Sequence, residues 1–259
     1  MAGSKIDKKA KTIDIKANSK NEFFLLHGYT GSPTDFNKLG KYLNKRFNAN
    51  IKIIRLVGHG EKRENLDSLN YQHFLKCAEK ELKKDINKKR KIVIGGISIG
   101  SFIALQLSTK YPVKGIINIS IPYRYRFLAG IVAFLEPLIL KKNWPKPMSE
   151  HEREMRKKAF YYDANLRGIK VIKHGKEALN SVLDKVTAPC LIVHVDDEKI
   201  FDSIGSKLIK DKISSKISKV TFFKQKGYPN HNPFYTQSHK ELYKIIGDFV
   251  EENGLFDGR

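Results

Sequence analysis

Short apolar runs alternate with segments of helical periodicity along most of this chain. The predicted strands are rich in Ile and Val and, after a first alternating one at 12–16, lack polar alternation; they lie at 23–27, 51–56, 91–95, 115–120, 190–195 and 220–224. Helix-like segments separate them, at about 33–47, 71–86, 99–110, 203–213 and 238–251. Continuous apolar strands occur where helices cover both faces of a parallel sheet. The sequence therefore predicts an α/β fold with a doubly wound, mostly parallel sheet.

This alternation stops after Pro122 and returns at Cys190. Residues 123 to about 185 show no buried-strand signal and contain the apolar stretch Phe127–Leu140. We therefore predict a helical insertion, 123–185, in a core formed by 1–122 and 186–259. The apolar stretch is too short to span a bilayer. It is either a helix with its apolar side over a pocket, which we favour, or a contact with a membrane interface.

The chain is strongly basic, with 49 Lys and Arg against 27 Asp and Glu in 259 residues and a net charge of +22. The charge is dispersed, and Lys outnumbers Arg 39 to 10, whereas nucleic-acid recognition favours Arg. We predict no nucleic-acid partner. A general solubility role is the favoured explanation for the charge, and peripheral contact with an anionic membrane is the alternative.

Two further expectations concern compartment and redox state. No secretory or membrane-spanning segment is evident, so we expect a cytoplasmic protein. The two cysteines, Cys77 and Cys190, lie in a helix-like and a strand-like segment, and we expect reduced thiols. No histidine or cysteine cluster has metal-ligand spacing, and no phosphate-binding glycine motif is present, so we predict no metal and no cofactor.

The strongest chemical signal is Gly96-Ile97-Ser98-Ile99-Gly100, between a predicted strand and a predicted helix. A serine on such a tight turn has strained backbone geometry and projects its hydroxyl above the sheet. Small residues two positions to either side make the turn sterically accessible, and both are glycine here. The pattern predicts that Ser98 is a nucleophile.

A nucleophilic serine needs a base and an acid that orients it, in the chain order serine, acid, histidine. Three acids, Asp196, Asp197 and Glu198, follow the strand 190–195. His231 lies in the loop before the last helix and is the predicted general base. His194 and His239 fall inside a predicted strand and helix and are read as structural.

Acyl transfer also requires N–H donors for the oxyanion. The amide of Ile99 follows the nucleophile directly, and the amide of Tyr29 lies in the His27-Gly28-Tyr29 loop after the first buried strand. We predict that these two amides form the oxyanion hole. His59, between Gly58 and Gly60, is expected to shape the same rim.

These segments together resemble the α/β-hydrolase superfamily, and within it the compact bacterial carboxylesterases and monoacylglycerol lipases. The resemblance extends from about Asn21 to Gly254 and favours Asp197 over Asp196 as the triad acid. It departs from the usual pattern in two places: Asn230 precedes His231 where glycine is usual, and Ser101 follows the serine motif where many relatives have glycine.

The resemblance implies an α/β-hydrolase fold with a small helical cap inserted after the sixth strand, here the one ending at Ser120. The cap would cover an acyl pocket, with Tyr123, Phe127 and Ile131 as substrate-binding residues. The implied activity is that of a serine carboxylesterase acting on short- to medium-chain acyl esters through an acyl-enzyme on Ser98. The alternatives are a monoacylglycerol lipase or lysophospholipase at anionic membranes, and a non-catalytic ligand-binding homologue. The expected partner is a small-molecule ester, and the sequence leaves the oligomeric state open.

Overall fold

A computed structural model describes residues 6–135, 144–145, 163–164, 166–196, 198–226 and 231–256. Its strands are β1 (Ile13–Ile15), β2 (Asn21–Leu26), β3 (Asn50–Ile54), β4 (Lys91–Ile97), β5 (Gly115–Ile119), β6 (Trp144–Pro145), β7 (Asp163–Ala164), β8 (Cys190–Val195) and β9 (Ser218–Phe223). Its α-helices are α1 (Asn37–Phe47), α2 (Arg63–Asp67), α3 (Tyr71–Asn87), α4 (Ile99–Ser108), α5 (Phe127–Phe134), α6 (Leu166–Asn180), α7 (Ile204–Lys212) and α8 (His239–Glu252). Four short 3₁₀ turns lie at Lys8–Ala10, Pro33–Phe36, Leu183–Lys185 and Pro233–Tyr235.

Seven strands form one sheet in the order β1-β3-β2-β4-β5-β8-β9. Strand β1 is antiparallel to β3, and every other pairing in this sheet is parallel. The carboxyl ends of parallel strands share one edge, where α/β proteins place their sites. Residues that follow β2, β4, β8 and β9 therefore converge at this edge.

Apolar side chains fill both faces of the sheet. On one face, buried residues of α3, α4, α6 and α7 pack in one cluster with alternate strand residues such as Ile94 and Ile192. On the other face, α1 and α8 pack against Val93 and Val193. Helix α4 is buried along nearly its whole length because α3 and α6 flank it. The predicted doubly wound α/β sheet is confirmed.

A reciprocal cap closes the short 3₁₀ turn that precedes α1. Ser32 caps the turn Pro33–Phe36: its hydroxyl accepts from the Thr34 amide, and Asp35 reaches back to the Ser32 amide. Such reciprocal caps satisfy amides that have no intrahelical acceptor. The cap fixes the loop after β2, which carries one of the predicted oxyanion amides.

Two details differ from the sequence-based expectations. The strand before residue 123 is β5, the fifth described strand and not the sixth, because only four described strands precede it. Helix α2 was not predicted, since its five residues are too few to show a helical period. The 123–185 insertion contains α5 and α6 as expected, together with the two-residue pair β6–β7. Residues 136–140 of the predicted apolar stretch lie outside the described residues.

Helix α6 contacts α4 and α3, and its residues Val171 and Leu179 are buried in the core cluster. This part of the insertion therefore packs on the sheet's helical layer, and the predicted boundary of the cap at 185 stays a prediction. Cys77 and Cys190 are unpaired thiols, as expected. None of the helices in the described part of the chain has the length and apolarity to cross a membrane.

Candidate active site

Ser98 occupies the sharp turn between β4 and α4 with φ = 55° and ψ = −124°. A Cβ on Gly96 would lie 2.2 Å from the Gly100 carbonyl, and one on Gly100 would lie 2.2 Å from the Leu26 carbonyl oxygen. Side chains at either position would collide with backbone, so the turn exists only because both residues are glycine. Positive φ at a non-glycine residue is strained and is maintained by the structure around it.

Ser101 helps to hold this turn closed. Its buried hydroxyl donates to the Gly96 carbonyl at 2.7 Å and lies 3.2 Å from the Ile119 carbonyl. The Ser98 amide also donates to the Ile119 carbonyl, at 3.0 Å. The residue that departs from the usual family pattern thus joins α4 to β4 and β5 directly beneath the nucleophile.

The loop after β2 lies beside the Ser98 side chain. A Cβ on Gly28 would be 3.1 Å from Ser98 Cβ and 3.7 Å from Ser98 Oγ. The amide of Tyr29 follows at once in this loop, and Ile99, the first residue of α4, has an amide without an intrahelical acceptor. Both predicted oxyanion donors therefore belong to backbone next to the nucleophile, and their role stays a prediction.

Aromatic and polar contacts anchor the Tyr29 side chain. Its ring packs edge-on against His59 and Phe74, with ring centroids 6.2 Å away in each case, and its hydroxyl lies 3.5 Å from Asp67 Oδ1. A Cβ on Gly168 would lie 3.1 Å from the same ring, so α6 approaches it closely. The loop at His59 and the helices α2, α3 and α6 therefore all contact the Tyr29 side chain.

His27 and His59 are fully buried and pack with ring centroids 4.6 Å apart. His27 Nδ1 donates to the Gly28 carbonyl at 2.9 Å, and its Nε2 accepts from the Leu56 amide at 3.1 Å. One neutral tautomer satisfies both bonds. Burial lowers the pKa of His27 to about 4 and that of His59 well below its ordinary value. Both histidines are therefore neutral and have a structural role beside the loop that follows β2.

His231 and Glu198, which follow β9 and β8 in the chain, form a hydrogen-bonded pair. His231 Nδ1 lies 2.6 Å from Glu198 Oε1 and donates to it. The Glu198 side chain is 1% exposed and that of His231 is 25% exposed. His231 Nε2 is buried and has no hydrogen-bond partner in the part of the chain that the structure describes. In particular, it makes no hydrogen bond with Ser98. This ring nitrogen can accept a proton while the carboxylate fixes the tautomer.

The predicted acid Asp197 lies outside the described residues, and its role stays a prediction. Asp196 is exposed, and its amide donates to the Phe223 carbonyl at 3.0 Å. The structure thus brings His231 together with the third acid of the turn, Glu198. Sequence reasoning did not select Glu198, because three adjacent acids on a turn give no signal that distinguishes them.

The other histidines occupy structural positions, as predicted. His194 is buried in β8, with Nδ1 3.2 Å from Ser206 Oγ of α7. His239 opens α8, and its Nδ1 lies 2.8 Å from the Thr236 carbonyl. Among the described residues, no three His, Cys, Asp or Glu side chains converge as a metal site.

Residues that follow β5 and residues that follow β8 form one wall beside the His231–Glu198 pair. The Phe201 ring lies 5.2 Å from the His231 ring and 4.9 Å from the Tyr125 ring. Tyr125 and Phe201 also form an antiparallel backbone bridge. A cavity of about 480 Å³ opens in this wall, lined by Arg124, Tyr125, Arg126, Phe127, Gly130, Ile131, Phe134, Leu135 and Asp202.

The three predicted substrate-binding residues lie in different surroundings. Phe127 and Ile131 line the cavity, yet they are 82% and 42% exposed. Tyr123 is buried, and its hydroxyl donates to Asn180 Oδ1 at 2.6 Å and accepts from Lys212 Nζ at 3.1 Å. Its side chain therefore lies in a polar cluster between α6 and α7. Substrate contact by these three residues stays a prediction.

Comparisons with known proteins agree with this geometry. The model of the family described as "serine aminopeptidase, S33" matches residues 17–228. A carboxylesterase of Bacillus subtilis (strain 168) is 21% identical over 225 residues, which are 84% of this chain and 88% of that protein.

Solved structures of low sequence identity share the fold. One, from work on the metagenome-derived lipolytic enzymes LipS and LipT, has a TM-score of 0.81 at 17% identity and covers 96% of this chain and 100% of that one. The monoglyceride lipase of Saccharomyces cerevisiae, a soluble variant with a substrate analogue, has a TM-score of 0.74 at 12% identity over 93% and 91% of the two chains. The strained serine turn, the seven-stranded sheet and the family match place this chain in the serine aminopeptidase S33 family of hydrolases, with the α/β-hydrolase fold and esterase- and lipase-type relatives.

Proposed function

We propose that this protein is a serine carboxylesterase that hydrolyses short- to medium-chain acyl esters. The observation that carries the proposal is the strained Ser98 turn, with the Gly28 loop beside its hydroxyl, at the sheet edge that also holds the His231–Glu198 pair. Ser98 Oγ attacks the ester carbonyl while His231 Nε2 takes its proton. The amides of Tyr29 and Ile99 stabilise the oxyanion.

The tetrahedral intermediate then collapses to the acyl-enzyme. The C–O bond to the alcohol breaks, and His231 returns the proton to the leaving alkoxide. Water attacks the acyl-enzyme with His231 again as base, which releases the carboxylic acid and restores the Ser98 hydroxyl. A carboxylate of the turn after β8 stabilises the imidazolium in both steps. Glu198 makes that contact in the structure, and Asp197, which the family resemblance favours, is the alternative.

A monoacylglycerol lipase is the second candidate. The observation that favours it is the cavity in this wall, because its lining combines aromatic and aliphatic side chains with two arginines and Asp202. An acyl chain would occupy the apolar part and a polar head the charged part. The relatives include a monoglyceride lipase, which supports this alternative.

A set of esters of graded chain length tests the proposal. We would measure kcat/KM for p-nitrophenyl esters and monoacylglycerols on the wild type and on Ser98→Ala, with an aminoacyl p-nitroanilide to test the peptidase activity in the family's description. We expect hydrolysis that peaks at short to medium chains and falls by about 10⁴-fold or more in Ser98→Ala. A preference for long-chain monoacylglycerols would select the second candidate. Equal rates in both proteins would contradict the mechanism.

A further inference from the structure

Large apolar side chains are exposed in two segments of the described chain. Those of residues 127–134 and 200–222 account for all the described large hydrophobic side chains that are exposed: Phe127, Ile131, Phe134, Ile200, Ile204, Leu208, Ile217 and Phe222. Phe127 and Phe134 are each 82% exposed. Together with Ile131 they are spaced four and three residues apart, so they lie on one face of α5. An exposed apolar cluster of this kind marks a contact surface.

Backbone contacts join α5 to the loop before α7. The Arg126 amide donates to the Ile200 carbonyl at 2.9 Å, and the Asp202 amide donates to the Arg124 carbonyl at 2.8 Å. These bonds flank the Tyr125–Phe201 bridge. Segments 124–126 and 200–202 are therefore joined through their backbones and form one continuous wall. We define the apolar surface as the side chains of Phe127, Ile131, Phe134, Ile200 and Ile204.

Three basic residues flank this apolar surface, and one of them, Arg124, lies with its Nε 4.0 Å from Asp202 Oδ2. Arg124 and Arg126 are exposed immediately before α5. Lys207 is exposed on α7, with its ammonium 5.5 Å from the Phe222 ring. An apolar centre with a cationic rim fits the boundary between the acyl chains and the headgroups of an anionic membrane.

We propose that the apolar surface docks this protein on membranes that contain anionic phospholipids. Phe127, Ile131 and Phe134 enter the acyl boundary while Arg124 and Arg126 contact lipid phosphates. The net charge of +22 favours a negatively charged surface and opposes pairing with a second, equally basic copy. Helix α5 has eight residues, so it lies on the bilayer and does not span it.

Docking by this surface brings the catalytic loop to the lipid. Phe201, which is bridged to Tyr125, packs on the ring of His231. The cavity beneath α5 opens in the same wall. Membrane attachment itself requires no hydrolysis, so it is independent of the proposed esterase activity and can be measured in Ser98→Ala.

Vesicle co-sedimentation tests the proposal. We would compare vesicles of phosphatidylcholine alone with equimolar phosphatidylglycerol and phosphatidylcholine, using Ser98→Ala to prevent turnover. We expect binding to the anionic vesicles that weakens as salt rises, and little binding to phosphatidylcholine. Binding to both compositions alike, or to neither, would overturn the proposal.

Matched variants assign the binding to this surface. The double variant Phe127→Ser with Phe134→Ser should bind the anionic vesicles at least about tenfold more weakly. The control is Ile217→Ser, because Ile217 is 43% exposed but precedes β9, at the opposite edge of the sheet. Circular dichroism and Tm would verify that each variant is folded. Equal losses in the double variant and the control would contradict the assignment.

A charge-reversal pair separates the role of the basic rim from that of net charge. Arg124→Glu should weaken binding at least about fivefold, whereas Lys45→Glu, an exposed position on α1 across the sheet, should change it little. Equal effects would mean that general basicity, and not this surface, attracts the protein. If size-exclusion chromatography showed that Phe127 and Phe134 hold a dimer together and the vesicles bound nothing, the surface would be a protein interface instead.

Discussion

Glu198 Oε1 accepts a 2.6 Å hydrogen bond from Nδ1 of His231, a residue 33 positions further along the chain. The carboxylate is almost fully buried, so the bond lies in surroundings where charge interactions are strong. It leaves Nε2 as the ring atom without a hydrogen-bond partner among the described residues, and proton exchange with Ser98 stays a prediction. The identity of this carboxylate is therefore central to how the site works.

The first prediction concerns this pair. Glu198→Gln should lower kcat for a p-nitrophenyl ester by about 10²- to 10⁴-fold, because the amide can no longer stabilise the imidazolium. Asp197→Asn, its neighbour in the same turn, is the matched comparison and should have a much smaller effect. If the large loss appears in Asp197→Asn and not in Glu198→Gln, Asp197 is the acid.

A second prediction concerns the connection between the two catalytic loops. Tyr235, four residues after His231, donates to Asp35 Oδ1 at 2.6 Å, and Asp35 caps the loop that carries the Tyr29 amide. Tyr235→Phe should lower kcat about three- to tenfold with little change in KM, because the two loops lose their mutual position. Tyr111→Phe, which removes a similar bond to Glu79 of α3, should leave kcat unchanged. If Tyr235→Phe and Tyr111→Phe lost stability equally and neither lost kcat, the Tyr235 bond would be purely structural.

A third prediction concerns stability in mild acid. The neutral His27 ring is favoured in the folded protein, with a pKa of about 4 instead of 6.5, so the unfolded chain binds more protons between these values. His27 therefore contributes about 3 kcal/mol to the free energy of unfolding above pH 6.5, and this contribution is lost as the pH falls towards 4. His27→Gln should flatten this dependence in urea unfolding between pH 4.5 and 7. His174→Gln, at an exposed position on α6, is the control, and an equal flattening there would contradict the assignment.

A fourth prediction has the opposite sign with pH. Burial of the Glu22 carboxyl and the nearby negative charge of Asp85 raise the pKa of Glu22 to about 7. Arg90 Nε lies 3.8 Å from this carboxylate and acts in the opposite direction. The folded protein therefore binds more protons between pH 4.5 and 7, and this contribution to stability is lost as the pH rises through 7. Glu22→Gln should be more stable than the wild type at pH 8 by about 1–3 kcal/mol and similar at pH 5. Chemical denaturation at both pH values measures this, with the exposed Glu177→Gln as control; equal stability at pH 8 would contradict the prediction.

Local sequence was sufficient for the fold class and for the turn at Ser98. The turn at Ser98 depends on glycines two residues to either side, so its chemistry is contained in five consecutive letters. Strand β8 begins and ends where the apolar run predicts, and all six of its residues are buried. The fold class and the serine turn can thus be predicted from short segments, whereas the nucleophilic role of Ser98 stays a prediction.

Contacts between distant segments were not readable in this way. Asp35 and Tyr235 are 200 residues apart, and no sequence pattern connects them. The apolar run that begins at Phe127 was favoured as a helix facing a pocket; in the structure Phe127 and Phe134 line a cavity and are also 82% exposed. Periodicity shows that a helix has an apolar face, but the tertiary structure determines what that face meets.

Covalent labelling with a fluorophosphonate tests the central claim most directly. The reagent reacts with a serine hydroxyl only when a base accepts its proton, so it reports on Ser98 and His231 together. We predict one phosphonylated peptide by mass spectrometry, modified at Ser98, and loss of labelling in both Ser98→Ala and His231→Ala. An unlabelled wild type, or label on another residue, would contradict the account and favour a non-catalytic ligand-binding protein.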